Sequence, residues 1–131
     1  MIETVNGWIV EEAKKLNNPF LDGAIARSAG KLLRNAPTIV TVSADGKDAW
    51  GGSNAAAAIE NMLLAADSLN IGSCWIGTLR LLSSSNQADE YRKRLQVPEG
   101  YKIADGLTLG YKASDSPAAP ERKTELVSYI T

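Results

Sequence analysis

The side chain best suited to chemistry in this sequence is a single thiol. Cys74 is the only cysteine, and it stands in the stretch GSCWIG directly before Trp75. A thiol can act as a nucleophile, but it then needs a nearby base or cation that lowers its pKa. The chain has no histidine, so neither a Cys–His pair nor a Ser–His–Asp triad can form within it. We therefore expect Cys74 to be a buried, inert neighbour of the core, and we predict no catalytic side chain.

Two other classes of site are poorly supported by the residue types. A zinc site needs at least three good ligands, which one cysteine and scattered carboxylates do not supply. No metal site is therefore predicted. The glycine-rich stretch ADGKDAWGG at 44–52 matches neither the dinucleotide fingerprint nor the phosphate-binding P-loop pattern. A small nucleotide-binding domain is therefore a weak interpretation.

Composition limits the class of protein and its partners. With 131 residues, of which 44% are hydrophobic, the chain suits one globular domain, residues 1–131. Fourteen basic and fifteen acidic residues give a net charge of −1, which favours neither nucleic acid nor an anionic membrane as a partner. The apolar runs are too short to cross a bilayer, and the N-terminus lacks a signal-peptide pattern. A single cysteine is typical of a protein in the reducing cytoplasm.

The elements that must position these residues can be predicted from hydrophobic spacing. Apolar residues recur at helical intervals over 2–16, whereas 37–44 is β-branched and predicts a buried strand. A long helix is predicted over 54–69, and Asn70 or Gly72 can take the left-handed conformation that closes it. The order of helices and strands fits either an α/β or an α+β sandwich.

The remaining segments are predicted from turn residues and short patterns. The stretch NNPF should break the first helix, because Pro19 cannot donate to a helix ladder. The sequence SSNQ fits a capping box, with Ser84 and Gln87 opening a helix that extends to about Leu95. The other assignments are a weak helix over 21–34, a loop over 45–52, strands over 73–76 and 102–112, and an extended tail over 113–123.

Four stretches of the chain are informative together: NAPTIVTVSADG, AAAAIENMLLAADSLNIGSCWIG, VPEGYKIADGLTLGYK and PAAPERK with LVSYI. In this order and spacing they resemble the nitroreductase family of flavoproteins. The resemblance implies an α+β fold, with a mainly antiparallel sheet flanked by helices in an intertwined homodimer. It also implies FMN at the dimer interface, NADH or NADPH as electron donor, and a nitroaromatic, quinone or flavin-type acceptor. The sequence chooses neither the donor nor the acceptor.

The resemblance assigns the flavin ring to the backbone around the cysteine. Family members bring the strand after the long helix beside the isoalloxazine ring, and Trp75, Ile76 and Gly77 occupy those positions here. A backbone amide can hydrogen-bond the flavin and tune it without a reactive side chain. Gly77 would let the ring approach closely, since it has no Cβ. The alternative is a glycine that serves only to end the strand.

The resemblance also implies basic residues at the FMN phosphate. Arg122 and Lys123 follow the proline-rich tail at the matching position, and Lys31 or Arg34 matches a polar flavin contact. Without the resemblance, the ERK triplet would be interpreted as solvated surface, and Lys31 and Arg34 as an exposed helix face. With so few candidate cations, we expect FMN to bind weakly.

The sequence departs from the family pattern at its start. The family's arginine-rich phosphate-binding segment and its Pro-Ser loop have no counterpart, so we expect the C-terminal two-thirds of the fold, truncated at the N-terminus. Two hypotheses of function follow. One is an FMN-dependent NAD(P)H oxidoreductase, and the other is a non-catalytic dimerisation module that has lost stable FMN binding. Both predict a homodimer, because helix 54–69 is apolar on more than one face.

Overall fold

The computed structural model describes residues 1–114, 118–126 and 128–130. Four α-helices and three strands make up most of the described chain, with a 3-10 helix at Gly77–Ser84 and a short 3-10 turn at Thr124–Leu126. The helices are α1 (Ile2–Lys15), α2 (Pro19–Arg27), α3 (Gly51–Ser68) and α4 (Ala88–Arg94), and the strands are β1 (Thr38–Asp45), β2 (Ile71–Trp75) and β3 (Tyr101–Tyr111). Within the described residues no helix is long and apolar enough to cross a membrane.

The sheet is antiparallel, and the last strand in sequence lies at its centre. Its order is β1-β3-β2, so β3 pairs with both neighbours. Only β3 is buried along its middle, from Asp105 to Thr108, whereas β1 and β2 are at most half-buried. Helix α3 packs against all three strands, while the 3-10 helix packs on β3 and carries α1 on top of it. The result is an α+β fold in which helices flank a small sheet, as the resemblance implied.

A β-bulge in β3 decides which residues face which layer. Val42 pairs with Asp105 and Ser43 pairs with Ile103, so Ala104 has no partner on β1. Because strand side chains alternate between faces, one extra residue exchanges the faces of everything before it. Ile103 therefore joins the core beneath the 3-10 helix, whereas Asp105 lies on the opposite face, the one covered by α3.

The larger core lies between α1, the 3-10 helix and α4. Its members are fully or almost fully buried: Val5, Ile9, Leu32, Leu33, Ile76, Leu79, Leu82, Tyr91, Val97 and Ile103. Helix α1 contributes through an i, i+4 stripe, which is why its apolar spacing predicted the helix correctly. Close packing also requires Gly106, because a Cβ there would lie 2.6 Å from Leu79 Cδ1 and would also strike the Val40 carbonyl.

This core contains one buried carboxylate. Glu12 is 7% exposed and accepts hydrogen bonds from the Tyr91 hydroxyl at 2.8 Å and from Lys15 Nζ at 2.9 Å. Burial alone would raise the pKa of Glu12, but hydrogen bonds from Lys15, Tyr91 and Ser85 outweigh it and keep that pKa below its ordinary value. Burial and the bond to Glu12 raise the pKa of Tyr91 to about 12. The charged form of Glu12 is therefore the stable one in this core.

Two helix boundaries differ from the prediction. Pro19 does not merely end α1, because it opens α2 as its first residue, where its missing N–H is not needed. The Asn18 side chain caps this helix by accepting from Phe20 N at 2.9 Å. The predicted capping box is wrong, since α4 starts at Ala88 and Gln87 makes no side-chain cap. The Ser85 hydroxyl instead accepts from Gln87 N at 3.0 Å and forms a turn.

Other boundaries move by a few residues. Helix α3 starts at Gly51, inside the predicted loop 45–52, and Asn70, with φ of 57°, closes it in the left-handed conformation as predicted. Strand β2 ends at Trp75, one residue before the predicted end, because the chain turns directly into the 3-10 helix. Of the tail predicted to run extended over 113–123, residues 115–117 lie outside the described residues.

Candidate functional site

The end of β2 places a glycine at the surface beside a buried neighbour. Ile76 is 4% exposed, and its N–H donates to the Gly106 carbonyl at 2.8 Å, which ties the strand end to the centre of the sheet. Gly77 follows as the first residue of the 3-10 helix and is half-buried. The first N–H groups of a helix have no partner within it, so the chain presents backbone donors here.

Three side chains converge on this glycine. Asp105, which is 7% exposed, accepts from Arg80 Nη2 at 2.7 Å, from Arg80 Nε at 3.0 Å and from Trp75 Nε1 at 3.2 Å. Arg80 Nε also donates to the Gly77 carbonyl at 3.0 Å. A guanidinium holds a carboxylate through two parallel bonds, which gives a stronger and more directional contact than a neutral pair.

The sequence puts these groups together through two different elements. Trp75 pairs with Leu107 across the sheet, so it shares a face with Asp105, two residues away along β3. Arg80 is three residues beyond Gly77 and lies one turn further along the 3-10 helix. In a 3-10 helix residues i and i+3 are stacked, so the Arg80 side chain lies over the Gly77 carbonyl.

A cleft of about 540 Å³ opens beside this cluster. Its walls combine cations, hydroxyls and the first turn of α3, where Gly51 is buried and Gly52 is exposed. The charged residues of the lining are of both signs: Asp45, Asp48, Arg80, Lys102 and Asp105. A shallower cleft of about 380 Å³ is lined by Phe20, Leu21, Gly77, Thr78, Arg80 and Leu81. Arg80 lines both clefts, whereas Gly77 lines only this second, more apolar one.

The structure brings together only some of the residues that the sequence singled out. Trp75, Ile76 and Gly77 form the strand end just described. Lys31 is exposed and lines a separate cleft of about 180 Å³ with Asn6 and Leu33. Arg34 lines another cleft, of about 370 Å³, which it shares with Cys74. Arg122 and Lys123 are exposed between β3 and the 3-10 turn 124–126.

Cys74 lies beside the core, as expected, but it is not fully buried. The residue is half-buried, and it packs against the core cluster on the face of β2 opposite Trp75. Its thiol donates weakly to the Trp75 carbonyl at 3.6 Å. The expectation of full burial failed because β2 is an edge strand, which leaves one side of each residue uncovered.

Sequence reasoning missed Arg80 and Asp105. The signal for Asp105 was present, because a carboxylate stands within the otherwise apolar strand KIADGLTLGY. A buried charge is costly unless it is paired, so such a residue predicts a partner. Nothing in the sequence named Arg80 as that partner, since the two residues are 25 positions apart.

Comparisons with known proteins agree with this fold. The model of the Nitroreductase family matches residues 3–111. A protein of Archaeoglobus fulgidus named as an NADH dehydrogenase/NAD(P)H nitroreductase is 33% identical over an alignment of 107 positions that covers 77% of this chain and 55% of that protein. A Bacillus subtilis protein named "FMN reductase (NADPH)" is 34% identical over 74 residues, which are 56% of this chain and 28% of that protein. The chain thus spans about half, or less, of the length of these curated relatives.

Solved structures give the same result at the level of the fold. A nitroreductase from Bacteroides fragilis with bound FMN superposes with a TM-score of 0.81 at 33% identity, and covers 99% of this chain and 70% of its own. A nitroreductase from Desulfitobacterium hafniense, also with bound FMN, reaches a TM-score of 0.86 at 22% identity over the same shares. Almost all of this chain therefore has a counterpart in those folds.

Proposed function

The chain belongs to the nitroreductase family, and we propose that it is an oxidoreductase that binds FMN and takes electrons from NADH or NADPH. Two curated relatives carry names of this activity, and the Bacteroides fragilis structure that resembles this chain holds FMN. We propose that the acceptor is a small molecule of the nitroaromatic, quinone or flavin type. FMN, when bound, would carry the hydride between the donor and this acceptor.

The observation that carries the proposal is the open backbone at Gly77. A Cβ built on Gly77 has no atom closer than 3.6 Å, and its nearest neighbours are Arg80 Nη2 and Asp105 Oδ1. The fold therefore does not need a glycine here for packing, in contrast to Gly106. A glycine that the fold does not require fits a flat ring that lies against the backbone. This favours the flavin interpretation over a glycine that serves only to end the strand.

Only some backbone N–H groups at the strand end are available to contact the ring. The Ile76 N–H donates to Gly106 and is therefore already used by the sheet. Gly77 and the residue after it carry the N–H groups that the 3-10 helix leaves without intrahelical partners. We propose that these amides, and not the Ile76 amide, face the flavin, while Trp75 supports the strand end through Asp105.

The residues that would bind the phosphate of FMN are less well supported than those that would contact its ring. Of the candidate cations, Arg122 and Lys123 are exposed on the tail, while Lys31 and Arg34 line two separate clefts. No cluster of cations surrounds one point among these four residues. We propose that Arg122 and Lys123 contact the phosphate and that FMN binds weakly, because each missing bond to a charged group costs about 1.5–3 kcal/mol.

The proposed enzyme works as a homodimer. Helix α3 buries Ala55, Ile59 and Ala66 against the sheet, and it also exposes apolar residues among the polar ones of its outer side: Ala57, Ala58, Ala65 and Leu64, the last of which is 61% exposed. Apolar residues outside the buried stripe of a helix favour a second covering surface. We propose that a second copy of the chain supplies it.

The chain contributes binding and orientation, not acid–base chemistry. It has no histidine, and its one thiol is half-buried against the core. Gly77 gives the ring room, Asp105 and Arg80 fix the backbone next to it, and the apolar cleft at Phe20 and Leu81 can exclude water from one side. These are the roles that a flavin requires from its protein.

A flavin titration of two glycine variants tests the proposal. Gly77→Val should weaken FMN binding at least about tenfold, because its branched side chain occupies the space of the ring, while the melting temperature changes little. Gly7→Ala is the control, since a Cβ at this exposed position in α1 meets nothing within 4 Å. Equal FMN affinity in all three proteins would contradict a ring at Gly77. A wild type that takes up no FMN and oxidises no NAD(P)H would instead support the non-catalytic dimerisation module.

A further inference from the structure

The Arg80–Asp105 pair touches the backbone at the point where the proposed flavin site begins. We propose that the two residues are positioning residues, which hold the peptide between Gly77 and Thr78 in one orientation and so set how that backbone meets the flavin. The first half of this inference, that the pair holds the peptide, concerns the chain alone. The second half, that the held peptide sets the contact with the flavin, rests on the proposed FMN binding.

The pair is hydrogen-bonded directly to the backbone at Gly77. Arg80 Nε is shared between the Gly77 carbonyl and Asp105 Oδ1, at 3.0 Å each, while Arg80 Nη2 reaches Asp105 Oδ2 at 2.7 Å. The guanidinium is planar and its donors have fixed directions. Once the carboxylate fixes the guanidinium, the position of the carbonyl oxygen is fixed as well.

The planarity of the peptide transmits this constraint. The Gly77 carbonyl and the Thr78 N–H belong to one planar trans unit, so they point in opposite directions. Holding the carbonyl oxygen against Arg80 therefore holds the Thr78 N–H away from the pair. Glycine has a wide conformational range, so without such a hold this peptide would turn more freely than one that follows a residue with a Cβ.

Asp105 is itself fixed by the sheet and by Trp75. It lies on the same face as Trp75, because Trp75 pairs with Leu107, two residues further along β3, and the Trp75 indole N–H donates to it at 3.2 Å. Its side chain is about 10% exposed, whereas that of Arg80 is 62% exposed. The carboxylate is thus the more buried member of the pair, and the arginine links it to the Gly77–Thr78 peptide.

The Arg80–Asp105 pair is not explained by a contribution to folding stability. An ion pair whose arginine is mostly exposed contributes little to folding, because water screens it. A buried carboxylate costs desolvation, and an apolar residue at the same place in β3 is often no worse for stability. A pair that fixes one backbone unit at the edge of a cofactor site has a use that an apolar contact cannot replace.

The chain provides a matched control for the arginine. Arg92 also joins a carboxylate to a backbone carbonyl, with Nε 3.5 Å from Asp89 Oδ1 and Nη1 3.3 Å from the Val97 oxygen. It lies on α4 and lines neither of the two clefts beside Gly77. Lysine keeps the charge of either arginine but loses the planar fork.

The experiment compares Arg80→Lys and Asp105→Asn with wild type and with Arg92→Lys. Backbone order parameters from ¹⁵N relaxation are measured at Gly77 and Thr78 in the flavin-free proteins. We expect values near 0.85 in wild type and in Arg92→Lys, and values falling toward about 0.6 in the two test variants. Arg80→Lys changes an exposed side chain and keeps its charge, so it remains informative if Asp105→Asn fails to fold.

The flavin readout is the two-electron midpoint potential of bound FMN. Arg80→Lys should change the ratio of affinities for oxidised and reduced FMN about tenfold, which is a shift of about 30 mV, while Arg92→Lys leaves the potential unchanged. Unchanged order parameters at Gly77 and Thr78 in Arg80→Lys would overturn the inference. Lower order parameters with an unchanged potential would overturn its flavin half. If wild type takes up no FMN, the proposed function fails and that half fails with it, while the relaxation data still decide the first half.

Discussion

Glu12 and Asp105 are two buried carboxylates with closely similar partners. Each is 7% exposed, and each accepts hydrogen bonds from one cationic side chain and from one aromatic side chain. For Glu12 these are Lys15 Nζ at 2.9 Å and the Tyr91 hydroxyl at 2.8 Å. For Asp105 they are Arg80 Nη2 at 2.7 Å and Trp75 Nε1 at 3.2 Å. By residue type and distance alone, the two sites would be given the same role.

Their surroundings give them different roles. Tyr91 is 2% exposed and belongs to the main core, and its ring centroid lies 5.0 Å from that of Trp8, so these rings close the Glu12 site on its core side, while the Lys15 side chain stays 49% exposed. Asp105 borders the 540 Å³ cleft, and its arginine also binds the carbonyl of Gly77. The difference shows that the role of a buried carboxylate depends on the other groups that its partners contact, such as the Gly77 carbonyl bound by Arg80. The closed pair stabilises the core, and the open pair orients a piece of backbone.

The largest effect should come from removing the aromatic member of the closed pair. Tyr91→Ala deletes a buried ring and leaves Glu12 with fewer partners, so we expect a loss of about 3–5 kcal/mol in the free energy of unfolding. Urea denaturation followed by tryptophan fluorescence measures it. The fraction that remains folded should bind FMN with wild-type affinity. A loss below about 1 kcal/mol would show that the two sites do not differ in stability as described.

A smaller change sharpens the comparison because it can be made at both sites. Tyr91→Phe removes only the hydroxyl that donates to Glu12, and we expect a cost of about 1–2 kcal/mol with no change in FMN affinity. Trp75→Phe removes the indole donor to Asp105, and we expect a smaller cost in stability, because Trp75 is 36% exposed, together with weaker FMN binding. The measurements are urea denaturation and flavin fluorescence titration. If Tyr91→Phe lost FMN affinity and Trp75→Phe did not, the assigned roles would be reversed.

The pH dependence of stability should report the closed site. The pKa of Glu12 is lowered in the folded chain, so its contribution is present above about 4.3, the unfolded value, and is lost as the pH falls through the lower folded value. The pKa of Tyr91 is raised to about 12, so its contribution is present below about 10 and is lost as the pH rises toward 12.

We therefore expect a plateau of stability from about pH 5 to about pH 10 with losses on both sides, measured by thermal unfolding across the pH range. Tyr91→Phe is the control, because it should remove this tyrosine's share of the alkaline loss. An alkaline loss of equal size in Tyr91→Phe would assign it to other groups.

The smallest effect is expected at the thiol. Cys74→Ser replaces a half-buried group whose hydrogen bond to Trp75 O is long, at 3.6 Å, so we expect a cost of less than about 1 kcal/mol. NAD(P)H oxidation should be retained, because no base is available to activate the thiol. Complete loss of oxidation in a folded Cys74→Ser protein would show that the thiol takes part in the chemistry.

The sequence predicted the elements that local patterns control. Helix α1 follows from its apolar stripe, β1 from its β-branched run and the end of α3 from Asn70. The sequence did not predict the 3-10 helix that begins at Gly77. This helix has no strong local pattern, because it forms where the burial of Ile76 in the core turns the chain. The family resemblance, confirmed by the match over 3–111, fixed the class of fold, which periodicity had left open.

The backbone part of the candidate site was predicted, whereas its two charged side chains were not. Gly77 and its neighbours came from the resemblance, and the structure places them at an open strand end. Asp105 and Arg80 meet through the pairing of β2 with β3, and register is a long-range property that spacing along the chain does not encode. The roles of Lys31, Arg122 and Lys123 remain predictions.

The central place of β3 in the sheet determines when this chain can fold during synthesis. In the described part of the chain, β1 and β2 pair with β3 and not with each other, and Thr38 meets Leu109 across the sheet. A ribosome that has made everything up to residue 100 has therefore made two strands with no partner. Helices α1 and α3 form through local contacts, but their apolar faces stay uncovered until the last strand emerges. The nascent chain is therefore most exposed to aggregation and to chaperones just before its sheet can close.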